Sequence, residues 1–563
     1  MIDLKFKVAN VTTRYFGELP AISGAAGSGT ITGNDFHLEL ANGTVTLPSG
    51  GKLRFVKGTM DSTDLAPPLT PTVIKVKGRG PVRGFMELHD QKPLGLVKES
   101  GFDAARIKGD TDLDIRYDMK LQKHMRPDLV KITAGAKVSN ISLKKAFNGL
   151  DIDTGKLDLT FGEGEVSAKG PVKIKGIPVK LGWTRTFAKN GADLDAIVAE
   201  ANLTEKRRSA LGIDLSSYLT GPVEVKMKTE TRGGNVSRLN VTADLTKAAL
   251  RLDAIKWSRP AGKKTNAAFD VDLSSAKKTT IKNLKITGRG LKIAGNMTVG
   301  ANGNVLEATF SDVLLNKLNH FAIALKRRND NLALAVTGKS FDARPLINSM
   351  FASSSGAGGL KGATKVPLAI ETSVARVYAN RGEIINNLTG QLQIIGGVVQ
   401  QANLQGRFLN GAPITMRVTP GAGGLRQMRV VGNDGGGALR AVNLYSKISG
   451  GSIDFQAKLH AAPKTGIQKG KLIVRNFAVH NEGAIGDIKN RKRKTGPRKK
   501  ALRFSSLIIP FSTNAEQVLI GNASITGIEY GATAQGIIGK ASGRMNIGGT
   551  ITPAPGINTI FGE

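Results

Sequence analysis

Apolar and charged residues alternate one by one over long stretches of this chain, and a period of two admits extended strand and little else. Residues 113–121 are the clearest case. Leu113, Ile115, Tyr117, Met119 and Leu121 fall on one side of an extended backbone; Asp114, Arg116, Asp118 and Lys120 fall on the other. The pattern returns at Val172-Lys173-Ile174-Lys175 and around Lys180, with Ile177, Val179, Leu181 and Trp183. It returns again at Val223-Glu224-Val225-Lys226-Met227-Lys228 and at Leu291-Lys292-Ile293. Between the runs stand Asn42-Gly43, Ser49-Gly50-Gly51, Gly233-Gly234-Asn235 and Ala301-Asn302-Gly303, residue types that tolerate the backbone of tight turns. Turns recur roughly every 8–15 residues, which predicts an antiparallel meander pairing sequence neighbours. About 35–45 short strands at ~4.8 Å each predict a sheet on the order of 150–200 Å long, and twist makes so long a sheet curl. The expected fold is therefore all-β: a long, twisted antiparallel β-groove, apolar inside and lysine-rich outside, with a few short helices.

Composition agrees with a wall better than with a packed sandwich. Aromatic residues are 5% of the 563, with 2 Trp and 6 Tyr, too few to fill dense cores. An apolar strip left without a second layer marks a binding surface. Lys and Arg total 80 against 44 Asp and Glu, a net +36, and such a surface attracts polyanions, whether nucleic acid or anionic headgroups. Most of the lysines alternate with apolar residues and read as a solvated outer face. The absence of cysteine excludes disulfides, zinc-thiolate sites and thiol nucleophiles, and leaves the compartment open. The opening MIDLKFKVAN lacks a basic stretch followed by an apolar run, and no window of about 18 apolar residues occurs. Neither a leader nor a spanning helix is expected from these residues.

Two short helices are expected, over 203–220 and over 342–350, the second with Pro345 near its start. The small-residue stretch 352–364, ASSSGAGGLKGAT, reads as a flexible linker. The chain divides at these points into an N-terminal part of the groove (1–200), a central segment (201–351), the linker (352–364) and a C-terminal segment (365–563) with a basic loop at 481–503. Nothing in it reads as a catalytic centre. The six histidines, His37, His89, His124, His320, His460 and His480, stand apart from one another and from carboxylate clusters, so metal catalysis is unsupported. Gly288-Arg289-Gly290 and Gly435-Gly436-Gly437 match no phosphate-loop pattern and are expected to be β-turns. No nucleophile elbow is present, and no enzymatic activity, metal or cofactor is expected. The densest charge run is 489–503, KNRKRKTGPRKKALR, with nine Lys or Arg. It reads as a solvated loop, as a membrane contact in which Arg491, Lys492, Arg493, Lys494, Arg498, Lys499 and Lys500 meet anionic headgroups, or as a nucleic-acid tract. Phe504 is its only aromatic neighbour, so a stacking platform for bases is missing and no specific nucleic acid is expected.

Several phrases resemble AsmA-like proteins of the YhdP type. Residues 432–460, GNDGGGALRAVNLYSKISGGSIDFQAKLH, carry that branch's acidic, glycine-rich turn, with Asp434, Leu439, Arg440, Tyr445, Gly450 and Gly451 in the family's positions. Gly466, then Gly470 to Phe477, and Phe504 with Leu507 continue the order. The closing pattern at 536–562 is carried by Gly549, Thr550, Pro553 and Asn558. Asp244-Leu245-Thr246 through Leu250 to Trp257, Pro260 and Gly262, and the run Phe341 to Leu346, are similar too. The resemblance is strongest over 200–270 and 330–562. It lacks the family's opening inner-membrane helix and the apolar continuation after its ending, so the chain is expected to be truncated at both ends.

The resemblance implies a repeating β-groove protein of the bacterial envelope, on the periplasmic side of the inner membrane, that moves phospholipid between inner and outer membranes and serves outer-membrane lipid homeostasis. On that reading acyl chains lie against Leu113, Ile115, Tyr117, Met119, Leu121, Val223, Val225 and Met227, with headgroups at the lysine-bearing rim. The expected partners are phospholipid, an anionic membrane surface and other envelope proteins. The alternative is an envelope scaffold or assembly factor for outer-membrane proteins that pairs sheet edges with partner strands. A third reading, a basic nucleic-acid-binding protein, rests on the net charge and the 489–503 run.

Overall fold

The structure is a computed structural model that describes residues 2–14, 19–66, 69–92, 103–122, 130–188, 190–232, 235–351 (backbone alone at 349–351), 366–460, 467–480, 501–514, 516–528, 530–540 and 542–553. Among these residues it contains 35 strands and four short α-helices: α1 (Val82–His89), α2 (Glu205–Ala210), α3 (Arg344–Phe351) and α4 (Gly435–Ala441). The fold is all-β and mostly antiparallel, as the alternation requires. The expected linker 352–364 and the seven basic residues Arg491 to Lys500 lie outside the described residues.

The strands gather into two compact units. One spans Met1–Ser216, Thr220–Lys247 and Ala268–Ser275; the other spans Ser217–Leu219, Ala248–Ala267 and Ala276–Glu563. In the first, strands from Asp3–Thr13 to Arg238–Asp244 pair in sequence order. In the second, strands from Lys278–Gly288 to Met545–Pro553 do the same. Among the described residues Asp3–Thr13 pairs only with Ile22–Thr32, and Met545–Pro553 only with Tyr530–Gly539, so neither meander closes into a barrel.

One pairing departs from the meander. Asn331–Asp342 runs parallel to Leu368–Tyr378. Parallel neighbours need a long connection to bring the chain back, and the segment that begins with α3 and contains the expected linker is that connection.

Four local expectations are corrected. The helix expected over 203–220 is confined to α2, where Thr204 Oγ1 accepts from Arg207 N–H at 3.4 Å and Gly212 ends the turn with φ +79°. Arg208 is buried and donates to Leu203 O and Gly221 O, which ties α2 to the strand it follows instead of extending it. Asn42-Gly43 does not close a hairpin: it kinks the interior of strand Asp35–Thr46, with Asn42 at φ +60°. Gly288-Arg289-Gly290 does form a turn, with Gly290 at φ +70°, but Gly435-Gly436-Gly437 opens α4. Asp434 caps that helix by accepting from Gly437 N–H at 2.8 Å, and a Cβ on Gly436 would lie 2.4 Å from Ile448 O. Finally, Ala501, Leu502 and Arg503, expected within the irregular basic loop, begin the strand Ala501–Thr513.

Candidate functional site

Residues directly opposite on neighbouring strands share a face of the sheet, so the pairing registers trace that face residue by residue. In the first unit one such row runs Leu113, Ala136, Leu159, Ala168, Trp183, Ile197, Thr229. It joins the two groups singled out in the sequence, because Leu113, Ile115, Tyr117, Met119 and Leu121 share this face with Val223, Val225 and Met227 although five strands separate them. A second row runs Phe6, Gly29, Leu38, Met60, Ile74, Tyr117, Ile132. At Gly29 a Cβ would sit 2.2 Å from the Phe6 ring, so glycine is what lets that ring lie across the strand.

Part of this face is already occupied by the protein. Helix α1, absent from the sequence reading, rests on the strands Lys52–Ser62, Thr70–Pro81 and Ile107–Leu121. Its Phe85 ring fills the space above Gly78 and Gly80. His89 Nδ1 faces Phe85 O at 2.7 Å, so it must donate, leaving Nε2 to accept from the Tyr117 hydroxyl at 3.3 Å. Ile115 and Met119 keep 5% and 7% of their surface and Val223 keeps 3%; of the expected lining residues, Leu113, Tyr117, Leu121, Val225 and Met227 remain half-buried. Farther along, the apolar row through Ile115, Ala134, Phe161 and Val166 ends on Arg185 and Asp195. Asp195 accepts two hydrogen bonds from Arg185 at 2.8 and 2.9 Å and one from Trp183 Nε1 at 2.9 Å.

The second unit has the longer face, and the sequence reading placed no acyl-chain-lining residue there. One row passes through sixteen strands: Ile281, Met297, Ala308, Leu325, Leu334, Ile370, Leu392, Ala402, Val418, Met428, Ala457, Gly470, Phe511, Ile520, Gly536, Ile547. No position in it is polar. Most of these side chains are half-buried, Ala308, Ala402, Val418 and Ala457 are buried, and Ile547 is 42% exposed. The opposite face carries Asn403, Arg417, Arg429, Gln456 and Lys471 in one row. The apolar row escaped the sequence reading because alanine and glycine supply several of its positions. In the strand Asn331–Asp342, moreover, alanine stands on the outer side where a charge would have shown the alternation.

Side chains from the family-like block cover one flank of this face. Helix α4 packs Ala438, Leu439 and Ala441 with Ile453, Val474, Phe477 and Phe504, and the rings of Phe477 and Phe504 stack at 5.5 Å. Arg440 donates to Glu383 at 2.7 Å and to Ile448 O at 2.7 Å. Beside it lies an open cavity of about 330 Å³ lined by Arg344, Tyr378, Arg381, Glu383 and Asn443. Its charged walls are engaged with neighbours: Arg344 with Asp342, Glu383 with Arg440, Arg381 with Asn443. Among the described residues no group of three or more His, Asp or Glu is placed to hold a metal ion, and no helix is long and apolar enough to cross a membrane. Comparison of the chain with models of protein families, with curated proteins and with solved structures gives no match in any of the three.

Proposed function

We propose that this chain is a non-enzymatic lipid carrier that holds phospholipid acyl chains against its apolar sheet faces. The observation that carries the reading is the row of sixteen apolar positions from Ile281 to Ile547, most of them half-buried. Apolar area left in water costs about 25 cal/mol per Å², and a linear hydrocarbon chain matches a strip that is continuous across strands and has no polar interruption. Aliphatic walls without directed hydrogen bonds grip weakly at any one point, which suits a carrier that must also release. The resemblance of residues 432–460 to AsmA-like proteins supports placing that activity in a bacterial envelope, with transfer between its membranes.

The test is native mass spectrometry with lipid extraction on the full chain. Phospholipid should be bound in several copies, and Leu392→Asp with Met416→Asp, two half-buried positions on neighbouring rows, should remove half of it or more while circular dichroism stays that of a folded β protein. A lipid-free, monodisperse preparation overturns the proposal, as does lipid content indifferent to both charges. Recovery of a defined protein partner without lipid would move the assignment to a scaffold.

A further inference from the structure

The positive charge of this protein is compensated on the outer face of the first unit and left uncompensated on part of that of the second. On the first unit, outer-face cations meet carboxylates on adjacent strands: Lys57 with Glu39 at 2.7 Å, Lys77 with Asp114 at 3.1 Å, Lys226 with Glu200 at 2.7 Å. Residues 398–480 of the second unit hold eleven Lys or Arg and two Asp or Glu. One of those acids, Asp434, is buried as the cap of α4. The other, Asp454, is taken by a two-fold hydrogen bond from Arg429 at 3.0 and 2.8 Å.

The register makes the excess deliberate. On four consecutive strands, Pro413–Pro420, Arg426–Gly432, Ser452–Leu459 and Ile467–His480, the outer positions include Arg417, Arg429, Lys458, Lys469, Lys471 and Arg475, all exposed. Arg417 stands directly opposite Arg429, and Lys458 directly opposite Lys469. Like charges in that position destabilise a sheet. The first unit also opposes Lys57 to Lys77, but there each has its own carboxylate. Here, among the described residues of these four strands, one acid serves six cations, and the next strand, Ala501–Thr513, adds Arg503 and no acid. A sheet keeps such an arrangement at a cost to its own stability, which a polyanion binding to the face would offset.

We infer that this outer face of the second unit is a docking surface for an anionic phospholipid bilayer. Cations spread over four neighbouring strands form a two-dimensional array, which matches a surface of lipid phosphates. The aromatic residues of these strands, Phe455 and Phe477, lie on the apolar side, so the face offers no platform on which bases could stack. The inference stands apart from lipid occupancy of the apolar face, and either can fail alone.

The experiment is co-sedimentation of the full chain with vesicles of phosphatidylglycerol mixed with phosphatidylcholine, against phosphatidylcholine alone. The variant R417Q/K458Q/K469Q is compared with K57Q/K77Q/K226Q, which loses the same net charge from acid-paired positions. Segment 481–500 is intact in both. At about fivefold per cation, the first variant should partition roughly a hundredfold more weakly onto the mixed vesicles, and the second should lose less than about threefold. Extracted lipid, measured on the same proteins, should be unchanged. Equal losses from the two variants, or no loss from the first, overturn the inference. So does tighter binding to duplex DNA at the same salt that the first set abolishes, which would make the face a nucleic-acid surface.

Discussion

Asp195 keeps 3% of its surface on an otherwise aliphatic face, and it is tolerated because Arg185 and Trp183 supply three donors. Donating to Asp195 in turn holds the Arg185 guanidinium above its ordinary pKa, and the same guanidinium lies 5.6 Å from the centre of the Trp183 ring. Removing one member strands the other. Asp195→Ala should lower stability by about 2–4 kcal/mol in urea unfolding, and the double change to leucine at Asp195 and Arg185 should recover most of it. A double variant as unstable as the single one would mean that packing, not the uncompensated charge, sets the cost. Trp183 was legible as an apolar position of its strand. Its need for an acceptor was also legible, but not the acceptor's identity, because Asp195 arrives only through the register of the next strand.

Strands were legible as elements wherever both faces declared themselves, as at 107–121 and 223–232. Helices α2 and α3 were signalled by the runs 203–220 and 342–350, but α1 and α4 were not, because seven or eight residues are too few for a period of 3.6 to emerge. Helix α1 follows Pro81, and its one signal is Phe85 and Leu88 at a spacing of three. Its docking has a pH dependence of definite sign. Burial holds the His89 imidazole below its usual pKa near 6.5. The unfolded chain therefore binds the extra proton first, and the stability contributed by neutral His89 is complete above that value and lost as pH falls below it. The protection of 82–89 against hydrogen exchange, taken relative to the intrinsic rate at each pH, should fall as pH drops from 7 to about 5, and His89→Gln should flatten the change. A loss of protection that persists in the variant would assign it to another group.

Each strand touches little beyond its two sequence neighbours, so each unit approximates a one-dimensional stack whose stability sums over adjacent pairs. The whole chain should then unfold in at least two denaturant steps, each with a slope well below that of a single cooperative domain of this length. Hydrogen exchange should be fastest in Asp3–Thr13 and Met545–Pro553. A single sharp transition reported alike by fluorescence and circular dichroism would refute that picture. The net charge of +36 was plain from composition. Its division into acid-paired cations on one unit and a nearly acid-free face on the other was not, because like-charge opposition between Arg417 and Arg429 exists only once the register is set.

The amino-acid order alone determined that this chain makes strands, that they pair largely with their neighbours, and that one face is apolar and the other charged. Those properties follow from alternation and turn chemistry within a few residues. Tertiary structure decided which alternating runs share a face, which part of that face α1 and α4 cover, and where alanine and glycine complete an apolar row. It also decided where cations stand opposed without a carboxylate. Each of these depends on register between strands, which a local pattern does not encode.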